Sequence, residues 1–185
     1  MRISTEPDTD LARRASAGDG DAFGELAVRH AESARRVARA LLGNPDDADD
    51  AVQDGVLAAW RSLDRYDPLR PFGPWLMRIV LNAARDRGRR RKVRESDPLS
   101  PALASAGAAP DRDAARAVLR EALDRAMRAL PERHRVAVTM FDAEGYAHDE
   151  IAEVLGVPVG TVRSDVFHAR RALRAALAPY REDET

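Results

Sequence analysis

The stretch that decides the fold is HDEIAEVLGVPVGTVRSDV, residues 148–166. Gly156 follows Ala152 by four residues and Val162 follows it by ten, which is the spacing of a helix-turn-helix. The small residue lets the two helices cross closely, and the glycine supplies the left-handed φ that the turn needs. Three more apolar residues complete the seam: Ile151, Leu155 and Val166. The stretch predicts a second helix that presents its other face to a DNA major groove, although a plain helical hairpin would share part of the pattern.

The composition of the whole chain favours an all-α protein. Its 185 residues are rich in Ala, Leu and Arg, and neither β-branched runs nor alternating segments stand out. Cysteine is absent, which excludes disulfides and thiolate zinc sites and suits a reducing compartment. No apolar run approaches the length of a membrane span, and the N-terminus lacks a signal-peptide pattern, so we expect a cytoplasmic protein.

The helical patterns fall into two blocks, residues 21–94 and 113–180. Residues 95–112 between them are rich in Pro, Ala and Ser without apolar periodicity, which predicts a flexible linker. Residues 1–20 and 181–185 are expected to be a flexible N-terminus and a tail. We therefore expect two small helical domains that move independently in a free monomer.

Charge is segregated although the net charge is only −1. Residues 85–94, RDRGRRRKVR, hold seven cations and one acid, and five aspartates lie between positions 46 and 54. Basic side chains bind phosphates with release of counterions, so the arginine run is a candidate nucleic-acid contact. It could equally be a solvated basic linker.

The aspartates belong to a helix that is predicted to begin after Asn44, with Asn44 as the N-cap and Pro45 in the first turn. Ala48 and Val52 start its apolar face, which leaves four polar residues on the exposed faces: Asp49, Asp50, Gln53 and Asp54. These could dock a basic helical partner, or only cap and solubilise the helix. Gly55 costs about 1 kcal/mol relative to alanine within a helix, which indicates close packing there.

Aromatic residues precede the arginine-rich helix. Tyr66 and Phe72 lie in a proline-rich loop, residues 64–75, and Trp75 opens the helix. Rings that stack on bases, next to cations that follow phosphates, are typical of single-stranded DNA binding. Trp60 is expected to be a core residue, because tryptophan at helical spacing usually packs.

These segments, in this order, resemble the extracytoplasmic-function (ECF) branch of the sigma-70 factors, the promoter-recognition subunits of bacterial RNA polymerase. The resemblance is carried by DAFGEL, LLGNPDDADDAVQDGVLAAW, PWLMRIVLNAARDRGRRR, LPERHRVAVTM and EIAEVLGVPVGTVRS, and covers about residues 21–93 and 115–178. It implies a sigma-2-type helical bundle and a sigma-4-type helix-turn-helix domain, joined by the linker.

The resemblance also implies the function and its residues. The protein would bind core RNA polymerase, direct it to −35/−10 promoters and promote DNA melting, without catalysis, cofactor or metal. Contacts to the clamp helices of the polymerase's largest subunits would come from Asp49, Asp50, Gln53 and Asp54. Single-stranded −10 DNA would be bound by Tyr66, Phe72, Trp75, Asn82, Arg85, Arg87 and Arg89. Duplex −35 DNA would be bound by Thr161, Arg163, Ser164, Asp165, His168, Arg170 and Arg171. An anti-sigma factor is a further expected partner.

Four positions depart from the family pattern. Asp165 stands where a basic residue is usual, and it could accept a hydrogen bond from cytosine or pair with a neighbouring arginine and never meet DNA. Ala147 replaces the usual capping serine, which loses half of a capping box with Glu150. Gly55 and Val56 replace a more usual apolar residue and aromatic, which bears on the strength of core binding.

Two other functions share parts of these patterns. An ordinary helix-turn-helix regulator would bind duplex DNA without polymerase, usually as a dimer. A sigma-like interaction protein would bind polymerase or an anti-sigma factor without initiating transcription. The acidic helix followed by an arginine-rich helix argues against the ordinary regulator.

Overall fold

The computed structural model describes residues 5–95 and 114–180, and every regular element in these ranges is helical. The all-α prediction is therefore confirmed. The elements are α1 (Asp8–Ser16), α2 (Gly20–Leu42), α3 (Pro45–Arg61), α4 (Phe72–Glu95), α5 (Ala114–Ala129), α6 (Glu132–Val138), α7 (His148–Leu155) and α8 (Val159–Leu177). A π-helical turn, Thr139–Ala143, continues α6, and short 3-10 turns lie at Leu63–Arg65 and Ala178–Tyr180. The predicted tail and nearly all of the predicted linker lie outside the described residues.

The N-terminal segment contains α1, where the sequence predicted a flexible end. Leu11, Ala12 and Ala15 are buried against the following helices. The Asp8 carboxylate accepts hydrogen bonds from Arg29 and His30 of α2, both at 2.7 Å. Burial raises the pKa of Asp8, but these two partners outweigh it and hold the pKa below its ordinary value. Sequence periodicity missed α1 because Leu11 is its one large apolar residue.

The start of α3 agrees with the sequence prediction. Asn44 is the N-cap, and its side-chain oxygen accepts from the backbone N–H of Asp46 at 2.8 Å and of Asp47 at 3.2 Å. Gly43, with φ of 70°, ends α2 immediately before it. A left-handed glycine followed by a capping asparagine therefore fixes the turn between the two helices.

The crossing of α3 and α4 is the tightest helix contact of the N-terminal block (α1–α4). A Cβ atom placed on Gly55 would lie 2.7 Å from Cγ2 and 2.8 Å from Cα of Val80. The close packing that Gly55 indicated is therefore present. Trp60 departs from its prediction, because it is 44% exposed and lies over Phe23 with ring centroids 5.1 Å apart. It sits near the end of α3, where the helix passes the edge of the core.

The C-terminal block (α5–α8) contains the helix-turn-helix that the sequence predicted. Ile151 of α7 packs against Val162 and Val166 of α8, and all three are buried. Gly156 adopts the predicted left-handed conformation, with φ of 68°, and its N–H donates to the carbonyl of Ala152 at 2.9 Å. The seam and the turn of this unit were therefore predicted correctly.

The two blocks lie against each other in the structure. One continuous cluster of buried side chains runs from Val37 and Val80 in the N-terminal block to Val136 and Met140 in the C-terminal block. The flexible linker predicts blocks that move independently, because a linker sequence does not reveal whether the surfaces of the two blocks meet. The apolar faces of α6 and α7 are instead covered by α2 and α4.

Polar contacts also join the blocks. Arg36 of α2 makes a bidentate ion pair with Glu144, with N–O distances of 2.6 and 2.8 Å, and the glutamate side chain is almost fully buried. Arg135 of α6 donates to the carbonyl of Leu41 at the end of α2, at 3.3 Å. Polar groups of one block are thus hydrogen-bonded to groups of the other block. In separated blocks, water would take the place of these partners.

We predict that Gly55→Ala destabilises the protein. The new methyl group would overlap the backbone of Val80, and overpacking of this kind costs about 1–3 kcal/mol, more than the roughly 1 kcal/mol that alanine contributes as a better helix former. Urea unfolding should therefore give a lower free energy of unfolding for this variant.

The matched control is Gly24→Ala in α2, where an added Cβ has no neighbouring atom within 4 Å. This variant should gain up to about 1 kcal/mol, because only the helix propensity changes. Equal responses of the two variants would contradict the assignment of Gly55 to a tight crossing.

We also predict that Ala147→Ser raises the melting temperature. The backbone N–H of Ala147 already donates to the Glu150 carboxylate at 2.8 Å, so half of the capping box is present. A serine hydroxyl would supply the other half and stabilise α7 by about 1 kcal/mol, or a few degrees in Tm. Ala172→Ser, an exposed site within α8, adds the same hydroxyl without a cap to fill and should not raise Tm.

Candidate nucleic-acid interface

The exposed face of α8 is the side of the helix that lies opposite the seam with α7. Val162, Val166 and Ala169 face the core, and the residues about half a turn away from them are open to solvent. The centre of this face is formed by Gly160, Arg163, Ser164, Phe167, Arg171 and Arg174. It combines guanidinium groups for phosphate or guanine with a hydroxyl and an aromatic ring, which suits a major-groove surface.

Other residues of α8 that the sequence singled out lie beside this face or are already paired. Thr161 is half-buried and His168 lies on the flank. Arg170 forms an ion pair with Asp142, with Nε 2.9 Å from Oδ2, and its guanidinium carbon lies 4.9 Å from the centre of the Phe141 ring. Arg170 would thus have to leave two partners in order to reach a phosphate.

Asp165 points into the protein, although the sequence gave it a place among the DNA contacts. It is 2% exposed, and both of its oxygens are paired with residues of α6. The second alternative that the sequence left open, pairing with a neighbouring arginine, is the arrangement in the structure: Arg133 Nε lies 2.5 Å from the carboxylate.

Phe167 was missed by the sequence analysis. Its ring is 62% exposed at the centre of the open face of α8. The signal was present in the spacing, because Phe167 lies outside the helical register of the buried residues Val162 and Val166. An apolar ring there could contact the methyl group of thymine.

The loop before α4 is built around a cluster of rings. The Tyr66 and Trp75 ring centroids lie 4.8 Å apart, and the Phe72 centroid lies 5.4 Å from that of Trp75. The hydroxyl of Tyr66 donates to the carbonyl of Arg70 at 2.5 Å, and burial raises its pKa to about 12. Tyr66 is buried in the loop, and Phe72 is buried at the start of α4, which begins three residues earlier than the sequence predicts. These two rings hold the loop, whereas Trp75 remains partly exposed.

Trp75 lines a cleft of about 510 Å³. One wall carries three arginines, Arg65, Arg70 and Arg78, none of which the sequence analysis selected. They were missed because they lie apart in sequence, outside the arginine run. The other wall carries acidic residues of α7, and Glu153 pairs with Arg70. The cleft thus offers a ring with surrounding cations, and in this arrangement carboxylates of the C-terminal block face them.

The arginine-rich half of α4 has partners of its own. Arg87 lies 2.8 Å from Asp50 and 3.9 Å from Asp54 across the α3–α4 crossing. Arg85 lies 3.6 Å from Glu132 of α6, and Arg89 pairs with Asp86 on the same helix. Among the residues selected on α4, Asn82 is exposed. The acidic partners are all more than half exposed. Ion pairs that are open to water contribute little stability, so phosphates can compete for these cations.

The exposed face of α3 surrounds an apolar groove with polar groups. Val28 of α2 and Leu57 of α3 are 48% and 47% exposed, and they lie with Val52 and Val56 in the same shallow groove. Asp49 and Gln53 lie on its rim, and Arg35 pairs with Asp49 at 3.0 Å. An exposed apolar centre with a charged rim is typical of a protein-docking surface.

Neither a metal site nor a membrane span is found in the described ranges. Within residues 5–95 and 114–180, no group of three or more histidine, cysteine or acidic residues could hold a metal ion. No helix in those ranges is both long enough and apolar enough to cross a membrane.

Comparison with known proteins agrees with this geometry. Residues 26–94 match the family Sigma-70 region 2, and residues 120–173 match Sigma-70, region 4. The RNA polymerase sigma factor NccH of Alcaligenes xylosoxydans xylosoxydans is 36% identical over 180 residues, which cover 94% of this chain and 97% of NccH. The ECF RNA polymerase sigma factor SigM of Mycobacterium tuberculosis is 37% identical over 170 residues, which cover 92% of this chain and 84% of SigM.

A solved structure extends the likeness to the fold. CnrH, in complex with the cytosolic domain of CnrY, superposes with a TM-score of 0.69 at 34% sequence identity, over 93% of this chain and 97% of CnrH. Both family regions occur in the expected order, and the relatives align along almost the whole chain. The chain belongs to the sigma-70 family of RNA polymerase sigma factors, in its extracytoplasmic-function branch.

Proposed function

We propose that this protein binds core RNA polymerase through α3, reads the −35 element with α8, and reads and opens the −10 element with α4 and the loop before it. The observation that supports polymerase docking is the apolar groove at Val28 and Leu57, which has a polar rim. A regulator that binds only DNA has no need of such a surface. The core contacts are Asp49, Asp50, Gln53 and Asp54, and the apolar centre adds Leu57 to them.

At the −35 element, Arg163 is our choice for a base contact, because arginine pairs bidentately with guanine. Phe167 would lie against a thymine methyl group, while Arg171 would bind phosphate. Ser164 and Thr161 would add hydrogen bonds, and Arg170 would contribute only after release from Asp142. His168 would contact the DNA from the flank of α8.

At the −10 element, Trp75 offers a stacking surface for an unpaired base, with Arg65 and Arg78 beside it for the phosphates. Asn82, Arg85, Arg87 and Arg89 would follow the strand along α4. Tyr66 in the loop and Phe72 at the start of α4 would act indirectly, by holding the shape of the loop. The free energy of binding the captured bases offsets the free-energy cost of melting the duplex. The protein therefore acts by binding, and no nucleotide needs to be hydrolysed.

Promoter binding requires the two blocks to separate. Elements at −10 and −35 are centred about 25 base pairs apart, or roughly 85 Å at about 3.4 Å per base pair. A compact chain of this length has a radius of gyration of about 16 Å and cannot reach both elements. In the closed arrangement the C-terminal block also covers the cleft at Trp75 with carboxylates, so opening would free both DNA-binding surfaces.

Because CnrH forms a complex with the cytosolic domain of CnrY, we also propose an anti-sigma partner for this protein. The free protein would be a cytoplasmic monomer. An anti-sigma factor could act by stabilising the closed arrangement of the two blocks.

The proposed function is tested by run-off transcription with purified core polymerase, with and without this protein, on a pool of promoter fragments from the same genome. We expect new transcripts of defined length, whose aligned start sites reveal both elements. Core binding without transcripts would favour an interaction protein. Failure to bind core would refute the sigma function and favour an ordinary regulator.

The docking surface is tested by Leu57→Asp, which places a charge in the centre of the groove without disturbing a buried residue. We expect the affinity for core polymerase to fall at least about tenfold, since interface centres carry most of the binding energy. The matched control is Leu119→Asp on α5, where the leucine is 44% exposed and lies far from the groove in sequence. Equal losses for both variants would argue against docking through α3.

A further inference from the structure

Asp165 is a buried charged residue, with 2% of its surface exposed. It lies two residues before Phe167, and two residues correspond to a rotation of about 200° around a helix. Asp165 therefore faces almost directly away from the open face of α8. A carboxylate in that position cannot touch a base that the opposite face reads.

Both oxygens of Asp165 are paired with the first turn of α6. Arg133 donates from Nε to Oδ2 at 2.5 Å and from Nη2 to Oδ1 at 3.1 Å, and His134 Nε2 lies 3.2 Å from Oδ1. Asp165 raises the pKa of Arg133 by this hydrogen bonding. Two parallel hydrogen bonds fix the direction as well as the distance between partners, so the pair holds α6 and α8 at one mutual orientation.

The cluster extends to the DNA-binding residues through His134. The His134 ring is stacked with that of His168, with centroids 6.1 Å apart and planes inclined by 15°. His168 lies one helical turn after Asp165, on the flank of the open face. Asp165 therefore lies against His134, and the His134 ring stacks on that of His168.

Stability alone is a poor explanation for this pair, in which the Asp165 side chain is 4% exposed and the Arg133 side chain is 51% exposed. Taking the Asp165 carboxylate out of water costs much of what its attraction to Arg133 returns. The same helix also carries an exposed ion pair of similar geometry, Arg170 with Asp142, which reaches neither α6's first turn nor His168.

We propose that Asp165 is a positioning residue for −35 recognition: through Arg133 and His134 it sets the orientation of α8 and the side chain of His168, and it contacts no base. The proposal rests on the proposed function, because it assumes that α8 reads the −35 element. It assigns Arg133 and His134 of α6 to the −35 site although neither lies on the recognition helix.

The test uses the holoenzyme formed from core polymerase and the full chain, on promoters whose −35 positions are varied one at a time with a fixed −10 element. Asp165→Asn keeps the shape of the side chain and removes its charge. We expect the affinity of the holoenzyme for the promoter to fall about three- to tenfold for every −35 sequence alike. The base preference at each position should stay unchanged, because Asp165 contacts no base.

Double variants identify the route of the effect. Arg133→Ala should cause a similar fall, and its combination with Asp165→Asn should be little worse than either change alone. His168→Ala should weaken binding in the wild-type background and have little further effect beside Asp165→Asn. The control, Glu121→Gln, breaks an exposed ion pair of the same block, that of Glu121 with Arg125 on α5, and should leave −35 affinity within about twofold of wild type.

Several results would overturn the proposal. A changed base preference at a single position would mean that Asp165 reads DNA directly. Additive losses, or a lower melting temperature with unchanged affinity per active molecule, would reduce Asp165 to a contact that only stabilises the fold. If Asp165→Asn does not fold, His134→Ala is used in its place, because this variant keeps the hydrogen bonds between Arg133 and Asp165. In the His134→Ala background, His168→Ala should cause no further loss of affinity. Failure of wild-type holoenzyme to bind any −35 element would instead refute the proposed function itself.

Discussion

The close approach of α3 and α4 at Gly55 and Val80 is the constraint on which the N-terminal block depends. A side chain at position 55 would push the helices apart, since its Cβ would meet the backbone of Val80 at 2.8 Å. With glycine there, the acidic surface of α3 and the basic surface of α4 become neighbours. Arg87 then reaches Asp50 at 2.8 Å, so the two candidate binding surfaces share their charges along one crossing.

Ion pairs of this kind make both surfaces responsive to their partners. The carboxylates of Asp50 and Asp54 are more than half exposed, so water and salt screen their attraction to Arg87. A polymerase helix or a DNA strand can therefore replace the internal partner at small cost. The same reasoning applies between the blocks, where Arg70 pairs with Glu153 beside the cleft at Trp75. The closed structure holds together chiefly through its apolar contacts, with Val136 and Met140 covered by the N-terminal block.

Much of the fold could be predicted because its signals are local. The cap at Asn44, the left-handed turn at Gly156 and the seam of Val162 and Val166 each depend on residues a few positions apart. The segment α1 escaped prediction because a single leucine gives no periodicity, and its packing against α2 is a tertiary effect. Trp60 was misplaced for a related reason: spacing identifies the apolar face of a helix but not where the neighbouring core ends.

The sequence by itself determined the family, the helical class and the chemical character of the candidate surfaces, because motifs and charge runs are properties of consecutive residues. Only the tertiary structure decided which of the selected side chains are open. It buried Tyr66 in the loop and Phe72 at the start of α4, turned Asp165 towards Arg133 and left Phe167 exposed. It also brought Arg65 and Arg78 around Trp75. The physical reason is that exposure and pairing depend on what lies opposite a residue, and for these residues the opposite surface comes from another helix or another turn of the chain.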